Sequence, residues 1–149
     1  MKVVIIGGVA GGMSAATRLR RRAEDAQIVV LERGEHVSFA NCGLPYYVGG
    51  VITERADLLL QTPESLAARF ALDVRVRHEV TAIDLAAKVV RGVRGPGREP
   101  FEEGYDALVL APGAAPFVPD APGMERALVL RDIADVDRMA RAVSVAAQE

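Results

Sequence analysis

Tryptophan is absent from this 149-residue chain, histidine occurs twice, and there is one cysteine, Cys42. A single cysteine rules out an internal disulfide framework, and with it the paired-thiol relay of two-cysteine redox enzymes within this segment. His36 and His78 are far apart in sequence and share no zinc-ligand spacing with Cys42, so no metal site is expected. A net charge of -2 gives no support to a nucleic-acid partner. No apolar run approaches the roughly 20 residues that a membrane span requires. The opening Met1-Lys2 leads straight into a strand pattern and lacks the apolar stretch and cleavage site of a signal peptide, which makes a cytoplasmic location the expectation. What remains is an ordinary globular composition, 50% hydrophobic and 26% charged, long enough for a proper core.

Glycine, by contrast, is concentrated. Val3-Val4-Ile5-Ile6 reads as a buried parallel strand, Gly7-Gly8-Val9-Ala10-Gly11-Gly12 follows, and an Ala-rich helix opens near Ser14-Ala15-Ala16. A strand, a glycine turn and a helix in that order form the context of a phosphate-binding loop. Gly7 permits the tight turn off the strand. Gly12 allows close helix packing, with free N–H groups aimed at a pyrophosphate. Val9 stands where the usual fingerprint has its middle glycine. Glu32 lies twenty residues beyond Gly12, directly after the second strand Ile28-Val29-Val30-Leu31, where a carboxylate can accept a ribose hydroxyl. The bland alternative is a tight strand-to-helix connection; the acidic residue at this distance favours nucleotide binding.

Beyond Glu32, the Cys42 segment reads as a loop leading to Gly49-Gly50, with Gly43 and Pro45 suited to a turn entering a helix. Thr62-Pro63-Glu64 announces a helix: a capping hydroxyl, a proline for the first turn and an acid for the positive end of the dipole, with Leu66 and Phe70 on the apolar face. Val74 and Val76 begin an alternating pattern that continues through His78-Glu79-Val80, Ile83, Val89, Val90 and Val93, and Phe101 to Tyr105 adds a further strand. This predicts an antiparallel meander inserted over about 74–105. Ala107-Leu108-Val109-Leu110 is the next buried parallel strand, and it ends in the turn Ala111-Pro112-Gly113. Ligands in open α/β sheets collect at such strand ends. Ile133, Val136, Met139, Ala140 and Val143 give a final amphipathic helix. The fold class is α/β: a Rossmann-like three-layer domain with a parallel sheet.

Taken together, the glycine turn, the Glu32-Arg33 strand end, Ser38-Phe39-Ala40-Asn41-Cys42-Gly43-Leu44-Pro45-Tyr46-Tyr47, Thr62-Pro63-Glu64, His78-Glu79-Val80 and Leu110-Ala111-Pro112-Gly113 resemble the coenzyme A-disulfide reductases, members of the pyridine nucleotide-disulfide oxidoreductase class. The resemblance covers practically the whole chain, and the cysteine segment is its most specific part. Related NADH oxidases and peroxidases usually carry other residues before the cysteine, so Ala40-Asn41-Cys42 points toward coenzyme A. This family commonly lacks the middle glycine as well.

The resemblance implies FAD as cofactor, held by Gly7, Gly8, Val9, Ala10, Gly11, Gly12, Glu32, Arg33, Asn41, Val80, Ala111, Pro112 and Gly113. It implies that hydride from NAD(P)H reaches FAD and that the reduced flavin passes electrons to Cys42, present as a mixed disulfide with coenzyme A. Cys42 must then react as a thiolate. Ser14, Arg18, Arg21, Ser38 and Asn41 match the coenzyme A contacts, the guanidinium forks being suited to phosphate. Blandly, Arg18, Arg20, Arg21 and Arg22 offset the negative end of the first helix dipole. Tyr46 and Tyr47 are expected to pack beside the cysteine loop. The substrate is expected to be coenzyme A disulfide or a related persulfide. The rival readings are an oxidase or peroxidase in which Cys42 cycles through sulfenic acid, and a non-catalytic nucleotide-binding module. Family members are much longer. The chain is therefore expected to be the N-terminal FAD-binding portion, inactive alone, of a homodimeric enzyme whose NAD(P)H-binding and dimerisation domains lie elsewhere.

Overall fold

Val3, Val4 and Ile5 are sealed from solvent on both faces, as a central parallel strand must be. In the computed structural model, which describes residues 1–146, this strand is β1 (Lys2–Ile6). It lies between β2 (Gln27–Leu31) and β7 (Ala107–Leu110), and β3 (Asp73–Arg75) completes a parallel sheet in the order β3-β2-β1-β7. Successive side chains go to opposite faces. Val3, Ile5, Ile28 and Val30 pack with Met13 and Ala16 of α1 (Ala10–Arg20) and Leu66 of α3 (Pro63–Phe70). Val4, Val29 and Leu31 meet Val80, Val90 and Phe101 of a meander formed by β4 (His78–Asp84), β5 (Val89–Arg94) and β6 (Glu99–Gly104). Helices, sheet and meander are the three layers expected. β7 is an outer strand of the parallel sheet, and its Leu110 is 60% exposed.

One boundary differs from the sequence pattern. Val74 does not open the meander: Asp73–Arg75 pairs parallel with Val29–Leu31, and the antiparallel part begins at His78. Gly92 in β5 is required by proximity, since a Cβ there would lie 2.0 Å from the Glu79 carbonyl oxygen, beside an irregularity in register between Val80 and Ala82.

The caps of α3 follow its sequence. Thr62 Oγ1 accepts the Ser65 N–H at 3.2 Å and Ser65 Oγ accepts the Thr62 N–H at 2.9 Å, a reciprocal capping box ahead of Pro63. At the other end Ala71 is left-handed, φ 49°. Arg20 secures that end from α1, donating from Nε to the Phe70 carbonyl and from Nη2 to the Ala71 carbonyl, both at 2.9 Å. Ala71→Gly relieves the left-handed strain and is expected to raise stability by about 1 kcal/mol, read as a higher urea midpoint at unchanged slope.

Glu103 of β6 is 9% exposed and receives hydrogen bonds from Lys2 Nζ and Arg75 Nη1, fastening the meander to both β1 and β3. Burial alone would raise its pKa, but the bonds from Lys2 and Arg75 outweigh burial and hold the carboxyl below the ordinary 4.5. A carboxyl with a lowered folded-state pKa stabilises the fold above 4.5 and ceases to as pH falls through its folded value. Glu103→Gln is therefore expected to destabilise at neutral pH and to flatten the acid limb, so that the unfolding midpoints of variant and parent draw together as pH falls below 4.5.

Phe39–Leu60 and the chain from Ala114 make a second compact unit, apart from Met1–Ser38 with Gln61–Gly113. Its core is Leu44, Leu58, Ile133 and Val136, with Phe39, Tyr47, Ile52, Leu59 and Leu130 packed around them. Leu44 begins the short helix α2 (Leu44–Val48), and Ile133 and Val136 lie on α4 (Ile133–Ala146). Arg55 grips Asp137 of α4 with two bonds of 2.8 and 2.9 Å. The apolar stripe expected of α4 is buried at Ile133 and Val136, while Val143 is 50% exposed.

Candidate functional site

The glycine turn is shaped by contacts that only glycine tolerates. Gly7 has φ +101°, and a Cβ on it would lie 2.0 Å from the Ala111 carbonyl oxygen at the end of β7. The Ala111 N–H in turn donates to the Ile6 carbonyl at 2.8 Å, so the turns after β1 and β7 are pressed backbone to backbone. Gly12 has no unusual φ; a Cβ there would lie 1.7 Å from the Gly7 carbonyl oxygen and 3.3 Å from Ile5 Cγ2. Val9 occupies the N-cap of α1 with φ -105° and ψ -129°, outside the helical and extended regions but at a negative φ, so the position does not call for a left-handed glycine.

Met13 N–H makes the first bond of α1, to the Val9 carbonyl at 3.1 Å, which leaves the N–H groups of Ala10, Gly11 and Gly12 without helical partners. No side chain caps this end and no acid occupies the first turn. Three free donors and the positive end of a helix dipole converge where an anion is best bound. Glu32, 9% exposed at the exit of β2, accepts the Gly8 N–H through Oε2 and the Gly34 N–H through Oε1, each at 2.7 Å. A carboxylate has about four acceptor positions, so one on each oxygen remains for a ribose hydroxyl.

Gly7, Gly8, Gly12, Glu32 and Ala111 thus meet in the first unit. Arg33 is exposed, as are Pro112 and Gly113, the latter with φ +71°. Val80 packs beneath the sheet. Ser14, Arg18 and Arg21 are exposed and follow one face of α1 at steps of four and three residues. Arg20, grouped with them in sequence, is committed to the end of α3. Ser38 has φ 49°, and its N–H donates to the Gly8 carbonyl at 3.0 Å.

In the second unit the segment expected as a loop is helical. Asn41–Gly43 form a single 3-10 turn that runs into α2, with Pro45 in its first turn. Ala40 N–H donates to Leu58 at 2.8 Å, Gly43 N–H donates to Ala40 at 2.9 Å, and a Cβ on Gly43 would meet Leu58 Cδ2 at 3.0 Å. The turn is thereby fixed to the core while Cys42 itself is exposed. Asn41 Oδ1 is buried without a hydrogen-bond partner among the described residues. Tyr47 packs beside this segment as expected, but Tyr46 is 57% exposed. No group of three or more potential metal ligands occurs among the described residues, and none of their helices is long and apolar enough to cross a membrane.

Residues 1–145 match the family model described as pyridine nucleotide-disulphide oxidoreductase. The chain belongs to that family. It is 41% identical over 113 residues to a coenzyme A disulfide reductase of Staphylococcus haemolyticus, an alignment covering 76% of this chain and 26% of the relative. A reduced CoADR-RHD of Bacillus anthracis superposes with TM-score 0.91 at 50% identity, covering 96% of this chain and 26% of that one. An NAD-dependent persulfide reductase from A. fulgidus gives 0.89 at 37% identity, covering 97% and 27%. This member of the pyridine nucleotide-disulphide oxidoreductases therefore spans about a quarter of the length of the relatives it matches. The family's FAD fits the residues present: the uncapped start of α1 offers donors to a pyrophosphate, and Glu32 keeps acceptor positions for a ribose.

Proposed function

We propose that this chain supplies the FAD cradle and the redox cysteine of an NAD(P)H-dependent reductase acting on coenzyme A disulfide or a related persulfide. The observation that carries the reading is Cys42, a lone exposed thiol on a turn pinned to its core at Ala40 and Gly43, in a chain whose first unit holds an uncapped glycine turn with Glu32 beside it. FAD, when bound, supplies the electron pair taken from NAD(P)H.

Gly7 and Gly12 shape the turn, the N–H groups of Ala10, Gly11 and Gly12 take the pyrophosphate, and Glu32 takes the ribose. Cys42 attacks one sulfur of coenzyme A disulfide as a thiolate; a Cys42–coenzyme A disulfide forms, the substrate S–S bond breaks, and one coenzyme A leaves as thiolate. Two electrons then split the mixed disulfide, returning the Cys42 thiolate and the second coenzyme A. Arg18 and Arg21, exposed along α1, hold phosphates of the coenzyme, with Ser14 and Ser38 as hydroxyl partners and Asn41 Oδ1 accepting a donor from the bound molecule.

Intact-mass analysis of the oxidised, denatured full-length protein should find a reducible coenzyme A adduct that maps to Cys42. Arg18→Ala with Arg21→Ala should raise KM for coenzyme A disulfide about a hundredfold or more while leaving kcat within a few-fold, since lost charge-assisted bonds each weaken binding by about 1.5–3 kcal/mol. A protein that never carries the adduct and instead turns over peroxide through a trappable Cys42 sulfenic acid overturns the proposal.

A further inference from the structure

The Gly8 peptide is held from both sides. Its N–H is donated to Glu32 Oε2 at 2.7 Å and its carbonyl accepts the Ser38 N–H at 3.0 Å. The preceding Gly7 N–H is donated to the Leu31 carbonyl at 2.8 Å. All three partners belong to the exit of β2 and the segment after it. Gly8 is buried, its φ is not in the left-handed region, and a Cβ on it would lie 2.9 Å from Val37 Cγ1 and 3.0 Å from Glu32 Cβ. Glycine is needed here because the 32–38 segment is drawn close against the turn. The other Glu32 oxygen, bonded to Gly34 N–H at 2.7 Å, fixes the carboxylate relative to its own strand end.

We propose that Glu32 and the Ser38 amide form a two-sided clamp that builds the glycine turn before any nucleotide is present, so that Glu32 is a positioning residue of the cradle in addition to its ribose contact. The proposal rests on the nucleotide-cradle reading above. Its physical content is preorganisation: a turn already ordered by the fold loses little freedom when ligand arrives, and that freedom need not be taken from the binding energy. A hydrogen bond from N–H to an ionised oxygen is about twice as strong as a neutral one, which suits the carboxylate for the task.

Glu32→Gln separates the roles. The amide is nearly isosteric and still hydrogen-bonds a hydroxyl, but its NH2 group cannot accept, so one of the two backbone N–H donors loses its partner. Hydrogen exchange followed by mass spectrometry on the full-length protein stripped of FAD should show the peptide containing Gly8 protected in the parent and little changed by added FAD. In Glu32→Gln, exchange of the Gly8 or Gly34 peptide should rise at least about tenfold in the absence of FAD and return toward the parent level when FAD is added, while peptides of β5 and β6 stay the same. FAD affinity should fall about tenfold or more. Glu32→Asp, which keeps the charge but is one methylene short of spanning both donors, should move both readouts in the same direction by less, and serves if the glutamine variant does not fold.

An unprotected Gly8 peptide in the FAD-free parent overturns the clamp. So does a loss of FAD affinity in Glu32→Gln with unchanged exchange, which reduces Glu32 to a ribose ligand. Raised exchange with unchanged FAD affinity overturns the cradle reading itself and, with it, any positioning role.

Discussion

Gly12→Ala in the full-length protein is expected to abolish FAD retention, lowering affinity more than about a hundredfold and stability by about 3 kcal/mol or more. Helix propensity argues the other way: Gly12 sits in the first turn of α1, and alanine there would ordinarily gain up to about 1 kcal/mol. The contact decides the sign. The added methyl would stand 1.7 Å from the Gly7 carbonyl oxygen, which is backbone and cannot rotate away. Gly7 has no room to retreat, because it is left-handed, bonded through its N–H to Leu31 and pressed against the Ala111 carbonyl. The turn must therefore be rebuilt, and with it the donors at the start of α1. Gly11→Ala is the comparison, since its Cβ would meet only Ala111 Cβ at an ordinary 3.6 Å. It should fold as stably as the parent and lose much less affinity. Flavin content after purification and quenching of FAD fluorescence measure both; retained flavin in Gly12→Ala would contradict the geometry.

In the full-length protein, and on the function proposed above, Cys42→Ser should leave FAD bound and reduce turnover of coenzyme A disulfide by at least about 10³-fold. A serine hydroxyl is not appreciably ionised near neutral pH, whereas the thiol needs only to lose its proton to attack sulfur. Cys42 is exposed, so the exchange of sulfur for oxygen removes little packing, and the loss reads chemistry instead of folding. Steady-state rates with NADH and NADPH, set beside flavin occupancy, separate the two. A variant that still reduces the disulfide at a tenth of the parent rate would show that another group is the nucleophile.

Local sequence carried much of this. Ile28-Val29-Val30-Leu31 is apolar throughout because both faces are covered, whereas the equally apolar Ala107-Leu108-Val109-Leu110, expected to be buried, is an outer strand only partly covered; Thr62-Pro63 marks a cap that the backbone uses as written. Val74 was open to misreading because a two-residue alternation is common to a short parallel strand and a meander strand; only the distant partner, Val30, distinguishes them. The helix entered after Cys42 was signalled by Gly43 and Pro45, but its run through Tyr46-Tyr47-Val48, residues of strand-forming type, was not, and the segment as a whole read as a loop. The placing of Glu32 beside the glycine turn was legible from its distance from Gly12. Its bonds to Gly8 and Gly34 were not, because they depend on where the fold brings backbone donors. Arg20 likewise looked like its arginine neighbours until α3 was seen to end beside it.

The two edges of the parallel sheet are unequally protected. β3 is three residues long and carries Asp73 and Arg75, a short charged border that discourages further pairing. β7 presents Ala107-Leu108-Val109-Leu110, uncharged and with Leu110 standing in solvent. Handled as an isolated polypeptide, this segment therefore carries its colloidal weakness on one side only: a chain seeking a template finds it at β7, and a lysine introduced along that strand would do more for its solubility than charge added anywhere on the opposite border.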